Sequence, residues 1–194
     1  MLHFKKTVAI FAIVLSACTV GSNPSYNAPV AQRTSAIVTS PEALTQFLRD
    51  TTAKSYTREH GTQISYFEAD GRYNLVYPGN TAVLKGKWEV RDGGVLGLKI
   101  CYSYTTPTHN PVTRERKGVD EWYCHNARGS LIRWQEIRDG DPLNIAATTI
   151  LPQRMPKGLN LSLPTAAKAV GLSTHMSPNK SPNPDRAADA RVGL

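Results

Sequence analysis

Residues 64–77 read ISYFEADGRYNLVY, and this stretch decides the fold prediction because apolar and polar residues alternate on both sides of a turn. Ile64 and Tyr66 share one side before the turn, and the alternation resumes at Tyr73. A period of two is typical of a half-buried strand, and Asp-Gly is a strong hairpin signal. The stretch therefore predicts two antiparallel strands joined at Asp70-Gly71.

Further strand patterns follow this hairpin. Residues 83–91 alternate around Trp88, residues 95–104 alternate around Ile100, and Asp-Gly-Gly supplies the turn between them. A polar loop follows at residues 105–118. The remaining predicted strands are residues 119–126, 131–138 and 143–151. Short strands joined by hairpin turns favour a mainly β fold, an antiparallel meander that forms a small barrel or sandwich.

One short helix is predicted ahead of the strands. Ser40 is a helix-capping residue type, Pro41 suits the first helical position, and Glu42 places an acid in the first turn. Leu44 and Leu48 then fall on one face of the helix. An amphipathic helix of this kind must cover an apolar surface of the domain.

The first residues resemble an export signal that ends in a lipid attachment site. Lys5 and Lys6 give a positive start, residues 7–15 are apolar, and Leu15-Ser16-Ala17-Cys18 resembles the lipobox of bacterial lipoproteins. The resemblance implies cleavage before Cys18, a diacylglyceryl group on its sulfur and acylation of its new amine. Cleavage without lipid is one alternative. A transmembrane anchor is another, although the apolar stretch is shorter than the ~20 residues that a spanning helix needs.

Lipidation implies an exported protein that is anchored to a membrane. Two or three acyl chains make such attachment lasting. Thr19, rather than an Asp, follows the lipidated residue, and in lipoproteins this usually implies the outer membrane, facing the periplasm. Export also disfavours a nucleic-acid partner, despite the net charge of +8. The basic end of the chain suits loose attraction to an anionic envelope component, and a solvated tail is the alternative.

Composition divides the chain into four predicted parts. Residues 1–17 form the signal peptide, and residues 18–39, rich in Ser, Asn, Pro and Ala, form a lipidated flexible tether. Residues 40–151 form the β domain. Residues 152–194 form a basic, Pro-rich and mostly disordered tail, in which residues 164–172 could form one short helix.

The cysteine count favours one disulfide. The chain has three cysteines, so that Cys101 and Cys124 remain once Cys18 is assigned to lipid. An exported chain folds in an oxidising compartment, where two thiols on strands favour a bridge. A metal site and a redox pair are the alternatives, but neither ligand spacing nor a C-x-x-C motif is present.

The order of several short motifs resembles an exported bacterial family known as a domain of unknown function. Its members share a D-G-R strand end, a G-x-W-x-V strand and two cysteine strands. Those pieces are Phe67-Glu68-Ala69-Asp70-Gly71-Arg72, Gly86-Lys87-Trp88-Glu89-Val90, Ile100-Cys101-Tyr102 and Trp122-Tyr123-Cys124. The resemblance covers residues 41–138 and implies a β fold without an established reaction.

Candidate binding residues lie in the polar loop and on the aromatic strands. Arg114, Arg116 and Lys117 cluster in the loop, where arginine suits a carboxylate or phosphate of an anionic partner. A solvated hairpin end is the alternative. Trp88 and Trp122 alternate with polar neighbours, as core aromatics or ligand-stacking aromatics do. The residues predicted to line a cavity are Tyr66, Tyr77, Trp88, Tyr102 and Trp122.

Three functional classes follow from these patterns. The sequence has no H-E-x-x-H, G-x-S-x-G, S-x-x-K or phosphate-binding glycine loop, so we do not predict an enzyme, a catalytic residue, a cofactor or a metal ligand. The leading prediction is a lipid-anchored binding or interaction module of the cell envelope. The second is a carrier of a small apolar ligand in a β-barrel cavity, and the third is a hydrolase. No oligomeric state is predicted.

Overall fold

A seven-stranded antiparallel sheet forms the centre of the domain, in a computed structural model that describes residues 40–175. The strands are β1 Thr51–Thr57, β2 Gly61–Phe67, β3 Arg72–Val76, β4 Leu84–Arg91, β5 Lys99–Tyr104, β6 Thr108–His109, β7 Arg116–Lys117, β8 Tyr123–Asn126 and β9 Trp134–Asp139. The helices are α1 Pro41–Leu48, α2 Ala127–Ile132 and α3 Leu163–Val170. The sheet, ordered β8-β5-β4-β3-β2-β1-β9, curls into a half-barrel, and β6 and β7 form a separate ribbon.

The mainly β fold and the helix ahead of the strands are confirmed. Helix α1 begins where predicted, because the Ser40 hydroxyl accepts a hydrogen bond from the backbone N–H of Ala43 at 3.1 Å. Leu44 and Leu48 of α1 are fully buried. The turn between β2 and β3 lies at the predicted position, and Gly71 has a φ of +90°, which favours glycine.

Aromatic rings identify the concave face of the sheet. Adjacent strands lie about 4.8 Å apart, so that side chains two strands apart meet only where a sheet curls inward. The ring centroids of Tyr73 on β3 and Tyr102 on β5 are 4.7 Å apart, although β4 lies between these strands. Phe67 and Trp134, separated by β1, have centroids 5.5 Å apart. These rings, with α1 and α2, form the core of the concave face.

The folded region continues past Leu151, where the sequence predicts the start of a disordered tail. Helix α3 packs on the convex face of the sheet, and its residues Leu163, Ala167 and Val170 are fully buried. They contact Ile64 and Val76, whose side chains point away from the concave core. One sheet therefore separates two apolar cores, and the domain extends through residues that the sequence assigned to the tail.

Two lysines fasten this later part of the chain to the sheet. The Lys85 ammonium donates hydrogen bonds to the carbonyl oxygens of Ile145 at 2.9 Å and Ala146 at 2.7 Å. Lys54, only 3% exposed, donates to the side-chain oxygen of Asn160 at 2.6 Å. Burial lowers the pKa of both ammonium groups, since the charged form loses hydration. Polar contacts at both lysines therefore fix the covering segment in place.

One strand was not predicted, and three predicted strands are shorter in the structure. Strand β1, whose sequence TTAKSYT has no apolar alternation, pairs with β2 along its whole length and with β9 from Thr51 to Ser55. The strands predicted at residues 95–104 and 119–126 begin only at Lys99 and Tyr123. Residues 131–138 do not form a continuous strand. They begin with the end of α2, which the Asn126 side chain caps by accepting from the backbone N–H of Gly129, and β9 starts at Trp134.

The strand predicted at residues 143–151 is wrong. Asp141 accepts hydrogen bonds from the backbone N–H groups of Ile145 at 2.8 Å and Ala146 at 2.7 Å, which folds the chain into turns. A single bridge between Ala82 and Ile150 is the only strand-like pairing within residues 143–151. Leu143, Ile145 and Leu151 are buried there without a strand, whereas Ile150 is exposed.

Cys101 and Cys124 lie opposite each other in register on β5 and β8, and their sulfur atoms are 2.03 Å apart, as in a disulfide. Strand β8 is an edge strand that pairs only with β5. The disulfide therefore links the edge of the sheet covalently to its neighbour.

Several predicted features lie outside the described residues. They are the signal peptide, the lipidation site Cys18, the tether up to residue 39, and residues 176–194 of the predicted tail. Within residues 40–175, no helix has the length and apolar character that crossing a membrane requires. The predictions for the outer segments stay predictions.

Candidate functional site

The concave face of the half-barrel is only partly filled. Around α1 its inward positions are apolar, but towards the other end of β1 and β2 they become small or polar, as at Ser55, Gln63 and Ser65. These side chains do not fill the space between the curled strands. They line an open cavity of about 420 Å³, a size in the range of small-molecule sites.

Tyrosine rings form much of the cavity wall. Tyr73 contacts Tyr102, with centroids 4.7 Å apart, and Tyr104, with centroids 6.4 Å apart. The Tyr73 hydroxyl also lies 2.8 Å from the hydroxyl of Ser65. Burial raises the pKa of Tyr73, Tyr102 and Tyr104, so that these phenols stay neutral at physiological pH. The wall is therefore aromatic, uncharged and able to donate hydrogen bonds.

Tyr77 connects this wall to the ribbon of β6 and β7. Its hydroxyl donates a hydrogen bond to the side-chain oxygen of Asn110 at 3.0 Å and contacts the Nδ1 atom of His60. The same Asn110 oxygen accepts from the backbone N–H groups of Val112 and Thr113. Burial first, and then the charges of nearby carboxylates, raise the pKa of Tyr77 to about 12. A neutral hydrogen-bond chain therefore positions the ribbon over the cavity.

Positive side chains lie at one end of the cavity. Lys117 of β7 and Arg133, which follows α2, both line it, and so does His125 of β8. The Lys117 ammonium lies 3.4 Å from the centroid of the Tyr123 ring. Burial, and then the charges of Lys117 and Arg133, lower the pKa of His125. At neutral pH this end therefore contains two cations and a neutral imidazole.

A carboxylate also lines the cavity. Glu115 lines the cavity and accepts a hydrogen bond from the Thr113 hydroxyl at 3.2 Å. Its charge contributes to the raised pKa of Tyr77, whereas Arg133 acts on Tyr102. The charges along the cavity are thus unevenly distributed, positive beside Tyr102 and negative beside Tyr77.

The structure separates the three basic residues that were predicted to bind as a cluster. Lys117 lines the cavity, but Arg114 and Arg116 are exposed and do not line it. Arg116 and Lys117 are successive residues of β7, so that their side chains point to opposite faces of the ribbon. Arg114 lies before β7, in the connection from β6, with a φ of +64°. Spacing alone could not decide which of them face the cavity.

The two tryptophans predicted as binding residues do not line the cavity. Trp88 is buried in the concave core, where its indole N–H donates to the carbonyl oxygen of Glu68 at 3.0 Å. Trp122 is half-buried, and the Arg91 guanidinium lies 5.0 Å from its ring centroid. Both rings therefore already have protein partners.

The predicted cavity lining is partly replaced. Tyr77 and Tyr102 line the cavity, but Tyr66 does not, because it lies on the convex face and donates to the Asp50 carboxylate at 2.8 Å. Tyr73 and Tyr104 were missing from the predicted lining, although the same strand alternation could have indicated them. His60 and Arg133 lie beside a turn and after a helix, where no periodic signal exists.

The lining suits reversible binding of a small molecule with an apolar body. Aromatic walls bury flat apolar surface, and a few polar groups at the ends orient the ligand. The described residues include no group of three or more His, Cys, Asp or Glu side chains that could hold a metal ion. Comparison of the chain with protein-family models, with curated proteins and with solved structures finds no match.

Proposed function

We propose that this protein is a small-ligand-binding module of the cell envelope, and that the half-barrel cavity is its binding site. The observation that supports the proposal is the open, tyrosine-lined cavity of about 420 Å³. Apolar contact with the rings supplies affinity, at about 25 cal/mol per Å² of buried apolar surface. The neutral phenols supply hydrogen bonds that orient the ligand.

The frame around the cavity favours binding without large rearrangement. Strands β1 to β5 form a continuous antiparallel ladder under the cavity. Beside the cavity the concave face packs on α1 and α2, and at β2 and β3 the convex face packs on α3. A preformed site avoids the entropic cost of ordering loops when the ligand binds. The ribbon of β6 and β7 forms a further wall, and Asn110 connects it to Tyr77.

We further propose that lipid on Cys18 anchors the module to the outer membrane, facing the periplasm. The lipobox-like Leu15-Ser16-Ala17-Cys18 supports this location. An anchored module with an open site would exchange ligand with the periplasm or with a membrane beside it. The basic end of the chain would strengthen contact with anionic headgroups.

A second candidate function is docking to an anionic envelope component through the exposed Arg114 and Arg116. The observation that favours it is that both side chains lie on the ribbon but outside the cavity, without an ion pair to any described residue. Such docking would leave the cavity accessible. The two functions are therefore separable by substitution.

The neutral fluorescent probe N-phenyl-1-naphthylamine tests the cavity directly. We expect the full-length protein to transfer tryptophan excitation to the bound probe, because Trp134 lines the cavity. Gln63→Phe places a larger side chain in the cavity wall, where its ring takes up space that the probe needs. This substitution should therefore remove the energy transfer. Val95→Phe lies on a fully exposed turn and should leave it unchanged.

Folding of both variants is checked by circular dichroism. Equal transfer in the protein and in a folded Gln63→Phe variant would show that the probe binds elsewhere and would reject the cavity as the site. Replacing Arg114 and Arg116 together by Ala should leave probe binding intact. It should weaken retention on anionic vesicles only if these arginines dock to anionic surfaces.

A further inference from the structure

Charged side chains are unevenly placed around the cavity, and their placement indicates the class of ligand. We propose that the ligand is an amphipathic anion, with a flat apolar body against the tyrosine wall and one carboxylate, sulfonate or phosphate bound by Arg133 and Lys117. This inference rests on the proposed function of the cavity. It adds the charge, the orientation and the residues that recognise the charged group.

The first observation is that Arg133 and Lys117 form no salt bridge within the described residues, although the Lys117 charge acts on the exposed Glu121 carboxylate. Arg72, by contrast, lies 2.7 Å from Glu68, and Arg138 lies 3.4 Å from Glu136. The positive charges of Arg133 and Lys117 are thus available to an anion that enters the cavity.

The second observation is that both cations converge on one place. Arg133 and Lys117 line the same cavity as Tyr123 and His125 of β8, and the Lys117 ammonium lies 3.4 Å from the ring centroid of Tyr123, two residues before His125 on that strand. The charges of both cations also act on His125. The rings of Tyr102 and His125 have centroids 6.1 Å apart. A negatively charged group beside these two rings would therefore meet both cations, while a neutral His125 could donate a further hydrogen bond from its N–H.

The third observation concerns the carboxylate that lines the cavity. Glu115 is the one carboxylate among the lining residues, and its charge acts on Tyr77 rather than on His125. An anion placed beside Tyr77 would meet a like charge, which is unfavourable in a partly buried site. The apolar body is therefore directed along Tyr73, Tyr102 and Tyr104, and the anionic group towards Arg133.

The backbone around each cation is fixed. The backbone N–H of Arg133 donates to the carbonyl oxygen of Ser130 at 3.1 Å, and its own carbonyl oxygen accepts from Tyr56 at 3.3 Å. Lys117 pairs with Thr108 across the ribbon. Only the side chains must be ordered when the anion binds, which reduces the entropic cost.

Two probes that share one carbon skeleton test the inference. N-Phenyl-1-naphthylamine is neutral, and 1-anilinonaphthalene-8-sulfonate is the same skeleton with a sulfonate group. We expect the full-length protein to bind the sulfonate at least about tenfold more tightly than the neutral probe, as one charge-assisted hydrogen bond predicts. Added salt should weaken binding of the sulfonate and leave binding of the neutral probe nearly unchanged.

Substitutions assign the preference to the two cations. Arg133→Gln and Lys117→Gln should each weaken sulfonate binding by about tenfold and leave neutral-probe binding within about twofold. The controls are Arg128→Gln, on an exposed position of α2, and Arg116→Gln, on the outer side of the ribbon; neither residue lines the cavity. Each control removes the same charge and should change neither affinity.

The outcomes separate the two proposals. If the protein binds both probes equally and salt has no effect, the anion inference is overturned and the cavity remains a binding site for neutral ligands. Binding of neither probe rejects the proposed function itself. The salt series uses the unsubstituted protein, so that it tests the anion inference even where a variant fails to fold. If Arg128→Gln and Arg116→Gln weaken sulfonate binding as much as Arg133→Gln and Lys117→Gln do, the preference results from net charge, and the assignment to Arg133 and Lys117 is overturned.

Discussion

Gly86 lies on β4 opposite Tyr104 of β5, where the two backbones approach too closely for any side chain. A Cβ atom built on Gly86 would lie 2.0 Å from the carbonyl oxygen of Ser103. This approach allows Tyr73 on β3 and Tyr104 on β5 to come together over the glycine, within 6.4 Å between ring centroids. The glycine of the G-x-W-x-V stretch thus has a packing role beside the cavity.

Gly86→Ala should therefore lower the free energy of unfolding. We expect a loss of about 1–3 kcal/mol, since β4 and β5 must move apart to admit the methyl group. The measurement is urea unfolding followed by tryptophan fluorescence. Gly129→Ala is the matched control: it lies in α2, its added Cβ would find no atom closer than 3.8 Å, and alanine favours helix by up to about 1 kcal/mol.

The change in the free energy of unfolding should differ in sign between the two variants. Gly129→Ala should be neutral or stabilising, and the same result for Gly86→Ala would contradict the close approach of the two strands. Probe binding should also weaken in Gly86→Ala, because displacement of β5 moves Tyr102 and Tyr104.

The sequence predicts the structural role of some single residues but not of others. The turn glycine Gly71 and the capping residue Ser40 were predictable, because each acts through its own local backbone. Trp88 and Trp122 have the same alternating neighbours, but only Trp88 lies on a paired central strand. Burial of a strand residue depends on which strands flank it, and that information is not local.

At the scale of elements, the disulfide and the edge strand β8 depend on each other. Strand β8 has four residues, mostly exposed, and its ladder partner lies on one side only. It nevertheless carries Tyr123 and His125, which line the cavity. The bond between Cys101 and Cys124 compensates for the weak packing of this strand and keeps one wall of the cavity in place.

Replacing both cysteines by alanine should lower the free energy of unfolding by about 3 kcal/mol, the chain-entropy value for a loop of this length. Binding of the sulfonate probe should weaken as well, because β8 can separate from β5. Both effects are measured on the oxidised protein and on the double variant. Reduction should destabilise the unsubstituted protein but not the double variant; equal sensitivity of the two proteins to reductant would exclude the disulfide as the cause.

Prediction of the elements was accurate where the pattern and the packing agreed. The sequences of strands β2, β3 and β4 alternate clearly, because one set of side chains packs in the concave core and the intervening set lies on the convex face of the sheet. Strand β1 was missed because Thr, Ser and Lys fill its positions, with the Lys54 charge satisfied by side chains from distant parts of the chain. Hydrogen bonds between distant segments do not produce a periodic pattern in the sequence.

At the scale of the whole molecule, the stability of the sheet depends on the segment that covers its convex face. Helix α3 buries Leu163, Ala166, Ala167 and Val170 completely. Full burial of a side chain of the size of Leu or Val is worth about 1.5–3 kcal/mol. Leu163 and Val170, with the buried Leu143, Ile145, Leu151 and Met155 of the same covering segment, are together comparable with the 5–15 kcal/mol that separate folded from unfolded states in typical domains. The segment is therefore part of the domain.

Ala167→Asp tests this dependence. An aspartate at a fully buried position of α3 should cost about 3 kcal/mol or more, because the carboxylate would lose its hydration among apolar side chains. We expect loss of the cooperative thermal transition, or a large decrease in its midpoint. Thr165→Asp, on the exposed first turn of the same helix, should change the midpoint little.

A dispensable tail would give the opposite pattern, with both variants as stable as the unsubstituted protein. The boundary at residue 151 was predicted from prolines, which do interrupt regular structure there, although turns can be buried as well as helices. The sequence of β2 indicates that the convex face is covered, because its residues Ile64 and Phe67 are both apolar and lie on opposite faces of the sheet. Strands that are apolar on both faces are covered on both faces.

The placement of the covering segment also affects how the chain can fold. Residues 143–170 are synthesised after every strand of the sheet, so that Ile64, Tyr66 and Val76 have no cover until the ribosome has passed the last turn of α3. A nascent chain with all its strands but without α3 would present an apolar sheet face, a surface that aggregates readily. Folding of this domain therefore cannot be completed before α3 has been synthesised.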